Sequence, residues 1–173
     1  MKPRDLAAAA VFIALAFVVT RYTVIPIPQT KGYFNLGEVV IYIAALTFGP
    51  AVGGLAGGVG SALADLAGGY LQFAPLTLVI KGIEGILVGR LAGAGTAGRL
   101  RATIAGGSWM VAGYFLAEVI FARPLGIAPT PLTAVAAAAA EVPFNIVQVA
   151  VGVIVATVVA ARLRPLAPHR LSP

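Results

Sequence analysis

The feature that most constrains the fold of this sequence is the position of its few charges relative to its long apolar segments. Only 10% of the 173 residues are charged and 60% are hydrophobic, whereas soluble domains carry about 25% charged residues. Most basic residues lie in the connections and termini, but five acids lie inside the apolar segments or at their ends: Glu38, Asp65, Glu84, Glu118 and Glu141. A charge within a hydrocarbon-length segment is costly and by default indicates a binding site or a transport pathway. The sequence therefore predicts a small integral membrane protein with a polar pocket.

Six apolar segments predict six transmembrane helices in a single all-α membrane domain, residues 1–173. The expected spans are approximately 6–21, 36–48, 51–67, 76–91, 103–121 and 133–161. The second and third are short, since a spanning helix needs about 20 residues. The apolar runs are continuous rather than alternating, which argues against strands. Eight basic residues fall on the side of the two termini and three on the other, so the positive-inside rule predicts an N-in, C-in topology. We expect a multi-pass protein of the plasma membrane.

The composition excludes several classes of function. Cysteine is absent, so disulfides, thiolate metal sites and a cysteine nucleophile are excluded. The single histidine, His169, lies in a basic, proline-rich tail, where we interpret it as a solvated residue. Neither a catalytic triad nor a metal site can be built from these residues, so we predict no enzyme activity, no metal and no cofactor. The net charge of +6 arises from residues at segment ends, which is typical of contact with lipid headgroups rather than with nucleic acid.

With this topology, the connections 23–35, 67–75 and 122–131 all face outside, and most polar groups of the segments lie near that side. Lys81 and Glu84 are three residues apart on one helix, so they can face each other. They form either a structural ion pair or ligand contacts. Tyr114 and Glu118, and likewise Glu141 and Asn145, are four residues apart and share a helix face. The predicted ligand-binding residues are Asn35, Glu38, Lys81, Glu84, Tyr114, Glu118, Glu141 and Asn145.

Small residues at four-residue spacing predict close helix packing. Glycines recur at this spacing in the third and fourth segments, at Gly49, Gly53 and Gly57 and again at Gly85, Gly89 and Gly93. Such residues let helix backbones approach each other. On the first segment, Ala10 and Ala14 form a similar pair, which could pack internally or contact another membrane protein.

Four stretches together resemble a known family. They are NLGEVVIYIAALTFGPAVGGLAGGVGSALADL at 35–66, FAPLTLVIKGIEGILVG at 73–89, GYFLAE at 113–118 and EVPFNIVQ at 141–148. Over residues 5–160 the chain resembles the substrate-binding S component of energy-coupling-factor (ECF) vitamin transporters. It is most similar to the branch named for riboflavin transport.

The resemblance implies six helices, with a vitamin bound near the outer face, beneath the first loop and between the later helices. It also implies that the chain has no ATPase of its own. It would dock on a transmembrane T subunit driven by two ATP-binding cassette subunits, which alone use ATP. Family S components dock through small residues of the first helix, and Ala10 and Ala14 match that pattern.

The substrate and one competing function stay open. The acids suit a ligand with amino or ring N–H donors, such as riboflavin, the pyrimidine precursor of thiamine or a pyridoxine-like ring. With one tryptophan and five tyrosines, a single ring is slightly favoured over a flavin. The alternative is an autonomous secondary carrier or permease for a small polar metabolite. Such a carrier is expected to show inverted repeats or matching broken helices, and the sequence shows no convincing repeat.

Overall fold

A computed structural model describes residues 1–163 as six helices and one short β-hairpin. The strands are β1 (Ile25–Ile27) and β2 (Gly32–Phe34). The helices are α1 (Pro3–Tyr22), α2 (Gly37–Phe48), α3 (Pro50–Gly68), α4 (Ala74–Leu91), α5 (Gly95–Ile120) and α6 (Pro131–Leu163). The predicted mostly helical fold is confirmed. Three tail residues used in the predictions of charge and topology lie outside the described residues: Arg164, His169 and Arg170.

Four of these helices are long and apolar enough to cross a membrane, namely α1, α3, α5 and α6. Helix α2 is apolar but has only 12 residues. Helix α4 has 18 residues and carries Lys81, Glu84 and Arg90. The number of spans and their orientation therefore stay predictions.

A glycine–proline pair separates α2 from α3 at the expected place. Gly49 has a φ of +88°, which side chains with a Cβ rarely adopt, so α2 ends at Phe48. Pro50 then occupies the first turn of α3, where its missing N–H is not needed. Gly69, with a φ of +85°, ends α3 in the same way. Two consecutive segments thus become two closely packed helices.

Helix α2 lies at the centre of the bundle, in contact with α1, α3, α4 and α6. Ile41, Tyr42, Ala44 and Ala45 of this helix have no solvent exposure. Helix α5 packs between α4 and α6. Because α2 touches most of the other helices, a polar side chain on it can reach partners from several directions.

The expectation that strands are absent is wrong, because the chain forms a short β-hairpin between α1 and α2. Ile25 pairs with Phe34 and Ile27 with Gly32 in an antiparallel ladder, within the stretch predicted to be an irregular loop. The strands have only three residues each, too few to show a periodic pattern. A hairpin this short is marginal on its own, so its stability depends on the polar contacts to the helices described below.

Glycines bring α3 and α4 into backbone contact, as their spacing predicts. A Cβ at Gly85 would overlap the backbone of Gly53, and a Cβ at Gly57 would overlap the carbonyl group of Lys81. Gly82, on the same helix, differs because a Cβ there would lie 3.7 Å from its nearest neighbours. The close approach therefore depends on particular glycines.

This difference gives a matched pair of substitutions. We expect Gly85→Ala to destabilise the protein by about 1–3 kcal/mol or more, because the methyl group meets backbone that cannot move aside. Gly82→Ala should stay within about 1 kcal/mol of wild type, since it adds only ordinary contact and improves helix propensity. Unfolding of both variants in detergent measures the difference. Equal stability of the two would contradict the packing described here.

Candidate functional site

A small polar cavity lies at one end of the bundle, beneath the hairpin. It is enclosed by the C-terminal ends of α3 and α5 and by the first half of α4 and of α6, together with β2. All five elements contribute polar atoms. The lining residues are Gly32, Tyr33, Asn35, Asp65, Phe73, Thr77, Lys81, Tyr114, Glu118, Glu141, Asn145 and Gln148.

The hairpin is attached to the helices around this cavity by polar contacts. The Tyr33 hydroxyl donates to Asp65 Oδ1 at 2.5 Å, and the Thr30 hydroxyl donates to Glu141. Burial, together with the Asp65 carboxylate, raises the pKa of Tyr33 well above its ordinary value. The phenol therefore remains a hydrogen-bond donor at physiological pH, and the hairpin closes one side of the cavity.

The segment after the hairpin is fixed as well. The backbone N–H of Asn35 donates to Gln148 Oε1 at 2.8 Å, and the Asn35 side chain accepts from the N–H of Gly37 at 2.8 Å. Asn35 therefore joins the start of α2 to α6 at the rim of the cavity.

A buried ion pair forms the base of the site. The Lys81 ammonium contacts Glu38 of α2 and lies 4.0 Å from Glu84. The hydroxyl of Tyr42 donates to Glu84 Oε1 at 2.7 Å. The predicted pairing of Lys81 with Glu84 is therefore present, but a closer partner, Glu38, comes from a neighbouring helix. Spacing along one helix cannot show that α2 brings a carboxylate nearer than one turn of α4 does.

Aromatic side chains lie beside this base. The hydroxyl of Tyr114 donates to Thr77 Oγ1 at 2.9 Å, and its ring centroid lies 5.8 Å from Lys81 Nζ. The rings of Tyr33 and Tyr70 are 4.5 Å apart. Trp109 lies apart from the cavity, and its indole N–H donates to the Ile80 carbonyl at 3.0 Å. Tyr114 is therefore in place to lie against a planar ring, whereas Trp109 is not.

Two carboxyl groups face each other on the opposite wall. Glu118 of α5 and Glu141 of α6 lie side by side there. The side chain of Asn145 also lies within hydrogen-bonding reach of Glu141. Both acids are buried, with 1% of Glu118 and 4% of Glu141 exposed.

The structure brings most of the predicted site residues together. Six of the eight line the cavity: Asn35, Lys81, Tyr114, Glu118, Glu141 and Asn145. The other two, Glu38 and Glu84, lie behind Lys81 rather than in the wall. Asp65, another of the five acids of the apolar segments, also lines the cavity. Five further wall residues were not predicted, which are Gly32, Tyr33, Phe73, Thr77 and Gln148.

The first helix presents the small residues expected at a docking surface. Ala10 and Ala14 are exposed, whereas Ala9 and Ala16 on the other side of α1 are buried in the bundle. The pair is therefore exposed rather than buried among the helices of its own chain.

The cavity encloses about 30 Å³, room for no more than a few water molecules. A ring-sized ligand needs considerably more space. The contacts most easily exchanged are those of the hairpin, because Tyr33 and Thr30 each hold it through a hydroxyl group. Binding a ring at this site therefore requires the hairpin side chains to move outward.

Comparison with known proteins shows which family the sequence and the fold match. Residues 1–165 match the model of the family described as "ECF-type riboflavin transporter, S component". An uncharacterised protein of Pyrococcus woesei is 44% identical over 140 residues, covering 80% of this chain and 86% of that protein. The thiamine precursor transporter HmpT of Lactococcus lactis is 34% identical over 87 residues, covering 50% of this chain and 52% of HmpT.

A solved structure agrees in fold. The S component of a bacterial ECF transporter superimposes with a TM-score of 0.68 at 20% identity, covering 96% of this chain and 98% of that one. Together with the family match, it confirms the resemblance seen in the sequence. The chain belongs to the S components of ECF-type riboflavin transporters, a family of membrane-embedded subunits for vitamin uptake.

Proposed function

We propose that this chain is the high-affinity substrate-binding subunit of an ECF-type importer, and that its cavity binds a vitamin or vitamin precursor. The observation that carries the proposal is the convergence of polar side chains from α3, α4, α5, α6 and β2 on one buried cavity. Buried polar groups are costly unless they are satisfied. A wall with several carboxyl and amide groups is therefore suited to a polar ligand with several hydrogen-bonding groups.

Among the candidate ligands, the pyrimidine precursor of thiamine has the most support. The partial similarity to a thiamine precursor transporter favours it, and the small cavity favours a single ring. Riboflavin and a pyridoxine-like ring remain in the proposal, because the matching family is the one named for riboflavin.

In the proposed arrangement, all six helices span the plasma membrane and both termini lie in the cytoplasm. The described basic residues support this orientation. Six of them lie at the end of the bundle opposite the hairpin: Lys2, Arg4, Arg90, Arg99, Arg101 and Arg162. Basic residues are enriched on the cytoplasmic side, so the cavity would open to the outside.

The chain would work with a transmembrane T subunit and two ATP-binding cassette subunits. ATP would be used only by those partners, and the chain itself would need no cofactor. We propose that α1 docks on the T subunit through Ala10 and Ala14, because the pair is exposed and small residues permit close helix contact.

We expect a vitamin or vitamin precursor to copurify with the protein from detergent. Mass spectrometry after denaturation identifies the released compound, and calorimetry with the authentic compound should give a dissociation constant in the nanomolar range. Asn145→Ala should weaken binding by at least about tenfold, because it removes hydrogen-bonding groups from the wall.

The matched control is Thr157→Ala, another buried polar residue of α6. It lies 12 residues further along the helix, about 18 Å away, and should bind as wild type does. Absence of any ligand, together with no binding across the B vitamins and their precursors, would favour a secondary carrier instead.

We assign Lys81, Glu38 and Glu84 mainly to the base that supports the site. Lys81→Met should destabilise the protein by about 3–5 kcal/mol, because Glu38 is left buried without its cation. The double variant Lys81→Met/Glu38→Gln should recover most of that loss, since it removes both charges. Unfolding in detergent measures both variants. A double variant no more stable than the single one would contradict a structural role for the pair.

Docking is tested with bulky substitutions on α1. Ala10→Trp and Ala14→Trp should abolish copurification with the T subunit, because tryptophan prevents close helix contact, while ligand affinity stays at the wild-type value. Leu15→Trp is the control, since Leu15 is also exposed on α1 but points away from the alanine pair. An intact complex with both alanine variants would refute this docking surface.

A further inference from the structure

One acid of the cavity wall has no hydrogen-bond donor. Glu118 is 1% exposed, and neither of its carboxylate oxygens accepts a hydrogen bond from a donor group among residues 1–163. Its close neighbour there is another carboxyl group, that of Glu141. A buried carboxylate without a donor loses the hydrogen bonds of its hydration water and gains none from the protein, which costs free energy.

Glu141, by contrast, has donors of its own. It accepts from the Thr30 hydroxyl and lies within reach of the Asn145 side chain. Two facing carboxylates repel each other unless a proton or a donor group lies between them. Of the two acids, Glu118 is therefore the one that lacks a hydrogen-bond donor, and it borders the cavity.

No basic side chain of the described cavity wall is free to pair with Glu118. Lys81 is the one basic residue among the described residues lining the cavity, and its ammonium group contacts Glu38. Arg123, near the same end of the bundle, is exposed and donates to the Pro129 carbonyl. An acidic group of a ligand would thus find no free cation, whereas an N–H group would find Glu118.

We propose that Glu118, with Glu141 behind it, determines specificity by accepting an N–H hydrogen bond from an amino group on the ring of the ligand. This inference rests on the proposed function and deepens it. The site would select an amino-substituted aromatic ring over a ring that presents only oxygen acceptors at the same position.

Tyr114 gives this contact its geometry. It lies four residues before Glu118 on α5, so both side chains project from one face, and both line the cavity. The bond from its hydroxyl to Thr77 holds the phenol ring in place. A planar ring lying against Tyr114 can direct an amino group along the helix face toward Glu118.

The test compares two ligands on three forms of the full chain. The ligands are the aminopyrimidine precursor of thiamine and the same pyrimidine with a methoxy group in place of the amino group, which cannot form an N–H tautomer. We expect the wild type to prefer the amino compound by about 10- to 100-fold, because the methoxy compound leaves Glu118 without a donor. Glu118→Gln should remove or reverse this preference, since an amide can donate to the methoxy oxygen.

Thr157→Ala is the control. It removes a buried polar group of α6 that does not line the cavity, so the ratio of the two affinities should stay within about twofold of wild type. If Glu118→Gln does not fold, Glu118→Asp replaces it. Aspartate retains the acceptor, so it should bind both ligands more weakly and still prefer the amino compound.

Calorimetry of all forms at one pH separates the outcomes. An unchanged ratio in Glu118→Gln, or loss of the preference in Glu118→Asp, would overturn the assignment of Glu118 while leaving the proposed function intact. The same holds if the wild type binds the methoxy compound equally well, or binds only vitamins that lack a ring amino group. Failure to bind any vitamin or precursor would overturn the proposed function, and this inference with it.

Discussion

The contact between the Lys81 ammonium and the Glu38 carboxylate, inside a bundle of mostly apolar helices, is the interaction on which the site depends. Moving a charge to the middle of a membrane helix costs about 2.5–3.5 kcal/mol on insertion scales, so three buried charges at one level must compensate one another. Lys81 does this for Glu38 and in part for Glu84, whose other oxygen accepts from Tyr42. The pair joins α2 to α4 directly beneath the cavity and leaves the lysine unable to attract an anion.

The glycines of α3 and α4 make that arrangement possible. Gly57 lies against the carbonyl group of Lys81, and Gly53 lies against Gly85 one turn further along α4. Larger residues would separate α4 from α3 and so move Lys81 relative to Asp65 across the cavity. A packing feature that looks unrelated to binding therefore sets the distance between two functional walls.

The sequence predicts those parts of the site that follow from helix periodicity and charge. Glu118 and Glu141 could be placed near one side because acids in apolar segments are rare, and Tyr114 and Asn145 because they lie four residues away from an acid. Partners on other helices could not be predicted. Lys81 was expected to pair with Glu84, yet Glu38 is closer, because a contact between helices depends on their rotation and separation. Thr77 and Gln148 were missed since neutral polar residues are common in such segments. The hairpin was missed because the contacts that stabilise it come from distant helices.

Under the proposed function, the number of donors, rather than burial, distinguishes the structural acids of this bundle from the acid that contacts the ligand. Glu38, Glu84 and Glu141 each contact a donor supplied by the protein, from Lys81, Tyr42 and Thr30 respectively. Asp65 receives the Tyr33 hydroxyl of the hairpin, and Thr77 of α4 also lies within hydrogen-bonding reach of it, so Asp65 keeps a donor when the hairpin moves. Glu118 has none among the described residues. A ligand would therefore meet one acid without a donor, Glu118, and another, Asp65, that a neighbouring helix can still supply. Under the proposed function, a ligand must bring a donor to Glu118, and this requirement restricts its chemistry more tightly than the size of the cavity does.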